Sequence, residues 1–255
     1  MSKLSRTQID KLGERLKEGK VNEADLRMLD QYRLSFAPSY QVVVNKIANE
    51  LGLAPTGRLA KSTPSIAEKL RRESIRLTQI QDIAGCRIIV RDIQTQDNVV
   101  SSISDLFSDV VIVDRRSNSS HGYRAVHVII KFESKLVEVQ VRTDLQHLWA
   151  EWSEKLADQI DSGLKYGKGD QSFLEALRLG SFLVEQHEDL EREYTKSQVL
   201  FIRLSEQAKL NPDLKQAVHK YQEEVANAEA KKEFLKQEVF KVLQNAISTF
   251  PRKGS

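Results

Sequence analysis

Cys86 is the only cysteine in 255 residues. That excludes an intramolecular disulfide and a multi-cysteine zinc site within one chain, and it fits a reducing cytoplasm. Its neighbours, Ala84-Gly85 before it and Arg87-Ile88-Ile89-Val90 after it, place it at the start of a buried strand, as a small inert hydrophobe rather than a reactive thiol. Long apolar runs are missing too. Residues 1–5 lead into polar sequence that does not resemble a signal peptide, and no stretch approaches the ~18 residues of a membrane span. The expectation is a cytoplasmic protein with no membrane contact. Charge of one sign is scarce: 39 Lys and Arg stand against 36 Asp and Glu, and a net charge of +3 does not define a nucleic-acid binder. A P-loop is also absent, because Gly163-Leu164-Lys165-Tyr166-Gly167-Lys168-Gly169 lacks the GxxxxGK[ST] spacing. Any phosphate would therefore have to be gripped by side chains and metal.

What is present is an ordinary globular composition, 40% hydrophobic and 29% charged, with no low-complexity segment. Asn22, followed three residues on by Asp25 and ahead of Leu26, Leu29 and Leu34, is a variant capping box that starts a helix to about Phe36. Pro38 and Ser39 open a second apolar pattern through Val42, Val43, Ile47 and Leu51, which Gly52 ends and Pro55-Thr56-Gly57 closes off. After a loop from Arg58 to Thr63, Pro64 stands in the first turn of another helix. From residue 80 the period becomes extended. Strands are predicted over Ile83–Val90, Asp109–Val113, Ala125–Phe132 and Leu136–Val141, with a helix over Asp97–Phe107 between the first two. Phe132-Glu133-Ser134-Lys135-Leu136 reads as a hairpin, which makes the last two strands antiparallel. The fold class is α/β (α+β), a mixed sheet flanked by helices.

A helix through Leu145, Trp149, Trp152, Leu156 and Ile160 closes this region, and Gly163 to Asp170 has linker character. Beyond it, Phe173, Ala176, Gly180, Leu183, His187 and Leu190 begin a run spaced three and four apart, and Leu214, Val218, Tyr221 and Val225 begin another, with Asn211-Pro212-Asp213 between. Two long helices follow, paired as an antiparallel hairpin or across a dimer seam and read as scaffolding. The expected organisation is N-terminal helices over 1–57 packing on a catalytic core over 58–168, with a C-terminal two-helix extension over 169–255.

Chemistry concentrates in two places. Arg58, Lys61, Lys69, Arg71, Arg72, Arg76, Arg87 and Arg91 face only Glu68, Glu73 and Asp82 in the same span, which reads either as a solvated helix face or as a phosphate cradle. In the strand Leu136 to Val141, the two-residue period puts Glu138, Gln140 and Arg142 on one face and Val137, Val139 and Val141 on the other. Burying Glu, Gln and Arg without partners would cost roughly several kcal/mol, so that face is either solvated or occupied. Asp82 and Glu138, two carboxylates with Arg and Lys arrayed around them, suit a hard divalent cation on a nucleotide. Gly122-Tyr123-Arg124 enters a strand. The Tyr123 ring offers a surface for a nucleobase, and Arg124 could meet a phosphate or flank the ring. His127 alternates with Val126 and Val128 and points to the polar face, either as a hydrogen-bonded sheet histidine or as a catalytic contact.

Four ordered blocks, Lys61 to Lys69, Asp82 to Arg87, Gly122 to His127 and Glu138 to Thr143, resemble the RelA/SpoT-type alarmone synthetases over roughly Tyr40 to Tyr166. The resemblance implies a nucleotidyltransferase-like mixed sheet and transfer of the β,γ-pyrophosphate of ATP to a ribose 3′-hydroxyl, with AMP released. It implies that Arg58, Lys61, Ser65 and Lys69 hold the ATP phosphates with Arg87 alongside, and that Asp82 and Glu138 bind Mg²⁺. Glu138 would also help deprotonate the attacking hydroxyl. Tyr123 would stack on the acceptor base, while His127, Gln140 and Arg142 complete the acceptor and phosphate contacts.

The sequence departs from the family pattern mainly on the acceptor side. Arg58 and Lys61 are separated by Leu59-Ala60, where the family usually has Arg-x-Lys. Asp114-Arg115-Arg116-Ser117-Asn118-Ser119-Ser120-His121 stands where a Lys-Pro element is common, Glu154 where a His is usual, and Ala157-Asp158 in place of a Tyr-Lys pair. The first reading is synthesis of (p)ppGpp from ATP and GDP or GTP. The second, from resemblance to toxic small alarmone synthetases, is pyrophosphorylation of the tRNA 3′ end, with Arg115, Arg116 and the basic cluster on tRNA phosphates. The third is a catalytically silent module whose C-terminal helices recruit a partner. Those helices are also where an antitoxin or a second copy would bind.

Overall fold

In the computed structural model, which describes residues 4–250, Ser5 opens the first helix, α1 (Arg6–Glu18). The Gln8 amide donates to Ser5 Oγ at 3.2 Å and the Ser5 amide to Gln8 Oε1 at 2.9 Å, and Gly19 ends the helix at φ 71°. This helix was not expected from the sequence, because its apolar face is only Ile9, Leu12, Gly13 and Leu16 in a polar stretch. The expected box of Asn22 and Asp25 does start α2 (Glu23–Leu34). Arg15 clasps Asp25 at 2.6 Å and ties α1 to α2. Helix α3 (Ala37–Leu51) ends at Gly52 with φ 64°. The expectations for residues 1–3, and for the last five residues of the extension over 169–255, lie outside the described residues.

Five strands form one mixed sheet in the order β1-β2-β5-β4-β3. They are β1 (Thr56–Arg58), β2 (Ala84–Val90), β3 (Val110–Asp114), β4 (Val126–Phe132) and β5 (Lys135–Thr143). Four lie within two residues of their predicted spans. The three-residue β1 departs from the predicted loop. It is an exposed edge strand, too short to show a period, that pairs antiparallel with β2. Glu133 and Ser134, at φ 46° and 66°, make the two-residue turn between β4 and β5, whose left-handed backbone matches strand twist. Helix α5 (Ile93–Leu106) starts four residues before the predicted Asp97.

The chain divides into two compact units. The first spans Met1–Ile88, Val100–Val113 and His127–Val141. Its core gathers Leu12, Leu29, Ile66, Leu70, Leu77 and Ile83, where α1 packs on α4 (Thr63–Arg72). The second spans Ile89–Val99, Asp114–Val126 and Arg142–Ser255. Here α6 (Asp144–Gln159) packs against α7 (Gln171–Leu210) and α8 (Lys215–Ser248) around Trp149, Leu156, Leu177 and Leu243. Helices α7 and α8 pair within the chain, as the hairpin reading expected. The stretch expected as a linker is instead anchored: Ser162–Tyr166 forms a 3₁₀ turn because Leu164, 1% exposed, plugs into this core. On α7 the inward face keeps Gly180 and His187 of the predicted run and otherwise sits about one residue on from it. Leu174, Leu177, Ser181, Val184, Glu188 and Glu191 are buried, whereas Phe173 and Leu183 are only partly covered. No helix among the described residues is long and apolar enough to cross a membrane.

Candidate active site

Strand β5 separates its two faces cleanly. Val137, Val139 and Val141 are fully buried, and Glu138 and Gln140 project from the opposite side. Glu138 is itself only 8% exposed, so its charge needs partners. His127 Nδ1, on β4, lies 2.9 Å from Oε1, and Gln140 Nε2 donates to Oε2 at 2.7 Å. Burial pushes the Glu138 carboxyl up, but the His127 contacts outweigh it and hold the group below the usual range; the Asp82 charge acts against them. The neighbouring strand approaches closely here. A Cβ on Gly85 would stand 2.9 Å from the Glu138 carbonyl oxygen, so glycine is what lets β2 lie flush against β5.

Asp82, two residues before β2, takes a hydrogen bond from Lys61 Nζ at 2.6 Å and another from Lys69 Nζ at 3.0 Å. Burial raises its pKa, yet the two ammonium groups prevail and hold it at about 2. Lys61 is fixed by its own amide, which donates to the Ile83 carbonyl at 2.7 Å. Ser62 caps α4 by accepting from the Ser65 amide and shares a hydroxyl–hydroxyl bond of 2.7 Å with Ser65. Ser65 and Lys69, four apart, lie on one face of α4, whereas Arg71, Arg72 and Arg76 are exposed. The solvated-face reading of the basic cluster fits Arg71, Arg72 and Arg76, while Lys61 and Lys69 turn to Asp82. The β1–β2 register sets Arg58 opposite Gly85 and Thr56 opposite Arg87, which puts Arg58 and Arg87 on one face of the sheet, the face on which Gly85 meets Glu138. Cys86 is 4% exposed, and burial with the nearby Glu138 charge pushes its thiol up to about 12, as an inert thiol should be.

The donor set suits Mg²⁺. Asp82 and Glu138 are both kept ionised and are close enough for the charge of one to oppose that of the other, a repulsion a hard cation would relieve. Among the described residues no three His, Cys, Asp or Glu side chains converge as a metal cage. Two protein carboxylates, with water and phosphate oxygens completing the octahedron, match the usual mode of Mg²⁺ on nucleotides.

The other expected residues lie in the second unit. The Arg142 guanidinium sits 5.1 Å from the Tyr123 ring centroid, and its Nη2 donates to the Tyr123 hydroxyl at 2.9 Å. Arg124, expected to meet a phosphate or flank the Tyr123 ring, is 4% exposed and engaged by Glu185 at 3.0 Å and Glu188 at 2.7 Å. Arg116 is likewise held, by Asp114 and Asp97 at 2.7 Å each and by Gln96 at 3.1 Å, while Arg115 is half-buried beside it. Sequence reasoning missed Glu185, Glu188, Gln96 and Gln146. No local pattern marks them, because each meets its partner from a distant part of the chain.

His187 and Glu191, one turn apart on α7, are both buried at 3.8 Å. Burial lowers the imidazole from 6.5 to about 4 and raises the carboxyl from 4.5 to about 7, with Lys232, Lys236, Asp92, Asp144 and Glu233 as charged neighbours. A raised carboxyl favours the folded state at low pH, and that stability is lost as pH climbs from 4.5 through 7. A depressed imidazole does the opposite, losing stability as pH falls from 6.5 to 4. Between 4.5 and 6.5 the two slopes cancel. Glu191→Gln is therefore expected to leave only the histidine slope, so that stability falls as pH drops below 6.5. Denaturant titrations at a series of pH values check this, and a variant profile parallel to wild type would contradict it.

The paired carboxylates and the lysines that converge on one of them all lie within residues 57–159. Residues 57–159 match the family described as the region found in RelA / SpoT proteins, and they form a domain of the RelA/SpoT type in this chain. Uncharacterised proteins of Mycobacterium tuberculosis and Mycobacterium bovis are each 41% identical over 111 residues, which is 42% of this chain. The chain spans about 41% of the length of these curated relatives. The crystal structure of small alarmone synthetase 1 from Bacillus subtilis matches at 25% identity with a TM-score of 0.50, covering 67% of this chain and 98% of that one.

Proposed function

We propose that this chain transfers the β,γ-pyrophosphate of ATP to the 3′-hydroxyl of a guanine nucleotide, GDP or GTP, releasing AMP. The observation that carries this reading is the pair of ionised carboxylates, Asp82 and Glu138, with Lys61 and Lys69 converging on Asp82 in a RelA/SpoT-type domain. In the reaction a bond forms between the acceptor 3′-oxygen and the β-phosphorus, and the bond from that phosphorus to the α,β-bridging oxygen breaks. Lys61, Lys69 and Ser65 hold the triphosphate, with Arg58 and Arg87 on the same sheet face as Gly85. Mg²⁺ held by Asp82 and Glu138 supplies charge neutralisation for the triphosphate when bound. Glu138, oriented by His127 and Gln140, draws the proton from the attacking hydroxyl. Tyr123 stacks on the acceptor base, its ring backed by Arg142.

The guanine nucleotide is favoured over the tRNA 3′ end because Arg116, one of two arginines that would meet tRNA phosphate outside the basic cluster, is spent on Asp114 and Asp97. The test is to incubate the protein with Mg²⁺ and γ-labelled ATP and offer GDP, GTP or deacylated tRNA in turn. Label in guanosine nucleotide is expected. Label in tRNA alone would replace this acceptor by the other, and no label anywhere would leave a binding module. Tyr123→Ala is expected to raise the acceptor KM by about ten-fold, the scale of one lost base–aromatic stack, with the ATP KM unchanged. A matching rise in the ATP KM would mean that Tyr123 serves the donor.

A further inference from the structure

Helix α7 does more than cover a core. Ser181, Glu185 and Glu188 recur at four and three residues, hence on one helical face, and all three reach the segment Gly122-Tyr123-Arg124. Ser181 Oγ donates to the Gly122 carbonyl at 2.8 Å. Gly122 itself has φ 88°, and a Cβ there would lie 2.9 Å from Trp149 Cζ2 and 3.1 Å from Ser181 Cβ, so the contact needs glycine twice over. One residue beyond Tyr123, the Arg124 guanidinium meets Glu188 through two bonds, Nε at 3.1 Å and Nη2 at 2.7 Å, and Glu185 through Nη1 at 3.0 Å. Glu188, 1% exposed, also accepts from Gln146 Nε2 at 2.8 Å, and the two glutamines Gln146 and Gln96 are joined at 2.8 Å.

This is a costly way to hold two segments together if covering apolar surface were all that was needed. Two buried charges stay ionised only when their hydrogen bonds are satisfied in one geometry, whereas apolar side chains tolerate sliding. Tyr123 lies between the two gripped residues, so its backbone is held on both sides and its ring is directed before any acceptor arrives. Rigid placement of a stacking platform lowers the ordering cost of binding.

We propose that α7 positions the acceptor platform, with Glu188 as a positioning residue that acts on the acceptor nucleotide through Arg124 and Tyr123. The proposal rests on the reading of Tyr123 as the acceptor-base contact. Two measurements on the full chain test it. The first is amide hydrogen exchange over residues 120–125, which needs no activity. The second is the split of KM between acceptor and ATP. Glu188→Gln, which removes the charge and keeps the shape, is expected to speed exchange in that segment and to raise the acceptor KM by about ten-fold with the ATP KM within about two-fold, as the loss of a charged hydrogen bond would do. Ser181→Ala, which deletes a single neutral bond and keeps the variant set usable if Glu188→Gln fails to fold, should move both readouts the same way by about three-fold.

Unchanged exchange in the folded variants overturns the clamp. Faster exchange with an unchanged acceptor KM, or equal rises in both KM values, overturns its role in acceptor binding. Wild-type protein that transfers label to no acceptor defeats the pyrophosphate-transfer reading and this acceptor role with it, while exchange alone still decides whether α7 orders the segment.

Discussion

Glu138→Gln is expected to lower kcat by about a thousand-fold or more while leaving the melting temperature within a few degrees, because one substitution removes both the proposed proton acceptor and a proposed metal ligand. The amide has the shape of the carboxylate, so Val137 and Val139 keep their packing on the far face of β5. What changes is charge. The carboxylate is held ionised against its burial by His127 and Gln140, and it is opposed by Asp82. The amide ends that opposition and leaves His127 a weaker partner, two effects on stability of opposite sign. Catalysis has no such compensation. Initial rates with labelled ATP, paired with a thermal melt, separate the outcomes. A rate loss of less than about ten-fold would place the proton acceptor elsewhere, and a collapse of the melt would show that Glu138 is chiefly a structural group.

The faces of the sheet were legible in the sequence because a strand has a period of two, which sets Val137, Val139 and Val141 on one side of β5 and Glu138 and Gln140 on the other. The helix start at Asn22 was marked by residues that bond three positions apart, which a sequence displays directly. Lys61, Lys69 and Asp82 could be grouped because each stands in an ordered block. The inward face of α7 was legible only in part. The predicted run includes Gly180 and His187, which are buried, but also Phe173 and Leu183, whereas the helix turns Ser181, Glu188 and Glu191 inward as well. Polar residues are buried there because their partners arrive from far away in the chain: Arg124 and Glu188 are 64 residues apart, and Ile93, whose amide donates to Glu191 at 3.0 Å, is 98 residues away. No local period carries that information. The same reason explains Arg116 and Arg124. A phosphate contact was one reading of each, because the sequence shows a basic residue without showing which carboxylate folds onto it.

Arg124→Met should reduce the stability of the second unit by about 3–5 kcal/mol, the usual cost of removing one partner from a buried ion pair. In a unit of this size that corresponds to a fall in melting temperature of roughly 10 °C. Glu185, 45% exposed, can turn to solvent when its arginine is gone, but Glu188, 1% exposed, cannot. It keeps only the Gln146 amide and the more distant Arg192 at 3.4 Å. An uncompensated buried carboxylate then either takes up a proton or forces the helix open. Replacing both partners removes the cause, so Arg124→Met with Glu188→Met is expected to recover most of the lost stability although it contains more substitutions. Denaturant unfolding of the two single variants and the double variant measures the coupling directly. Additive losses across the cycle would mean that Arg124 and Glu188 stabilise the fold independently, and that α7 is held to the Gly122–Arg124 segment by its apolar contacts rather than by charge.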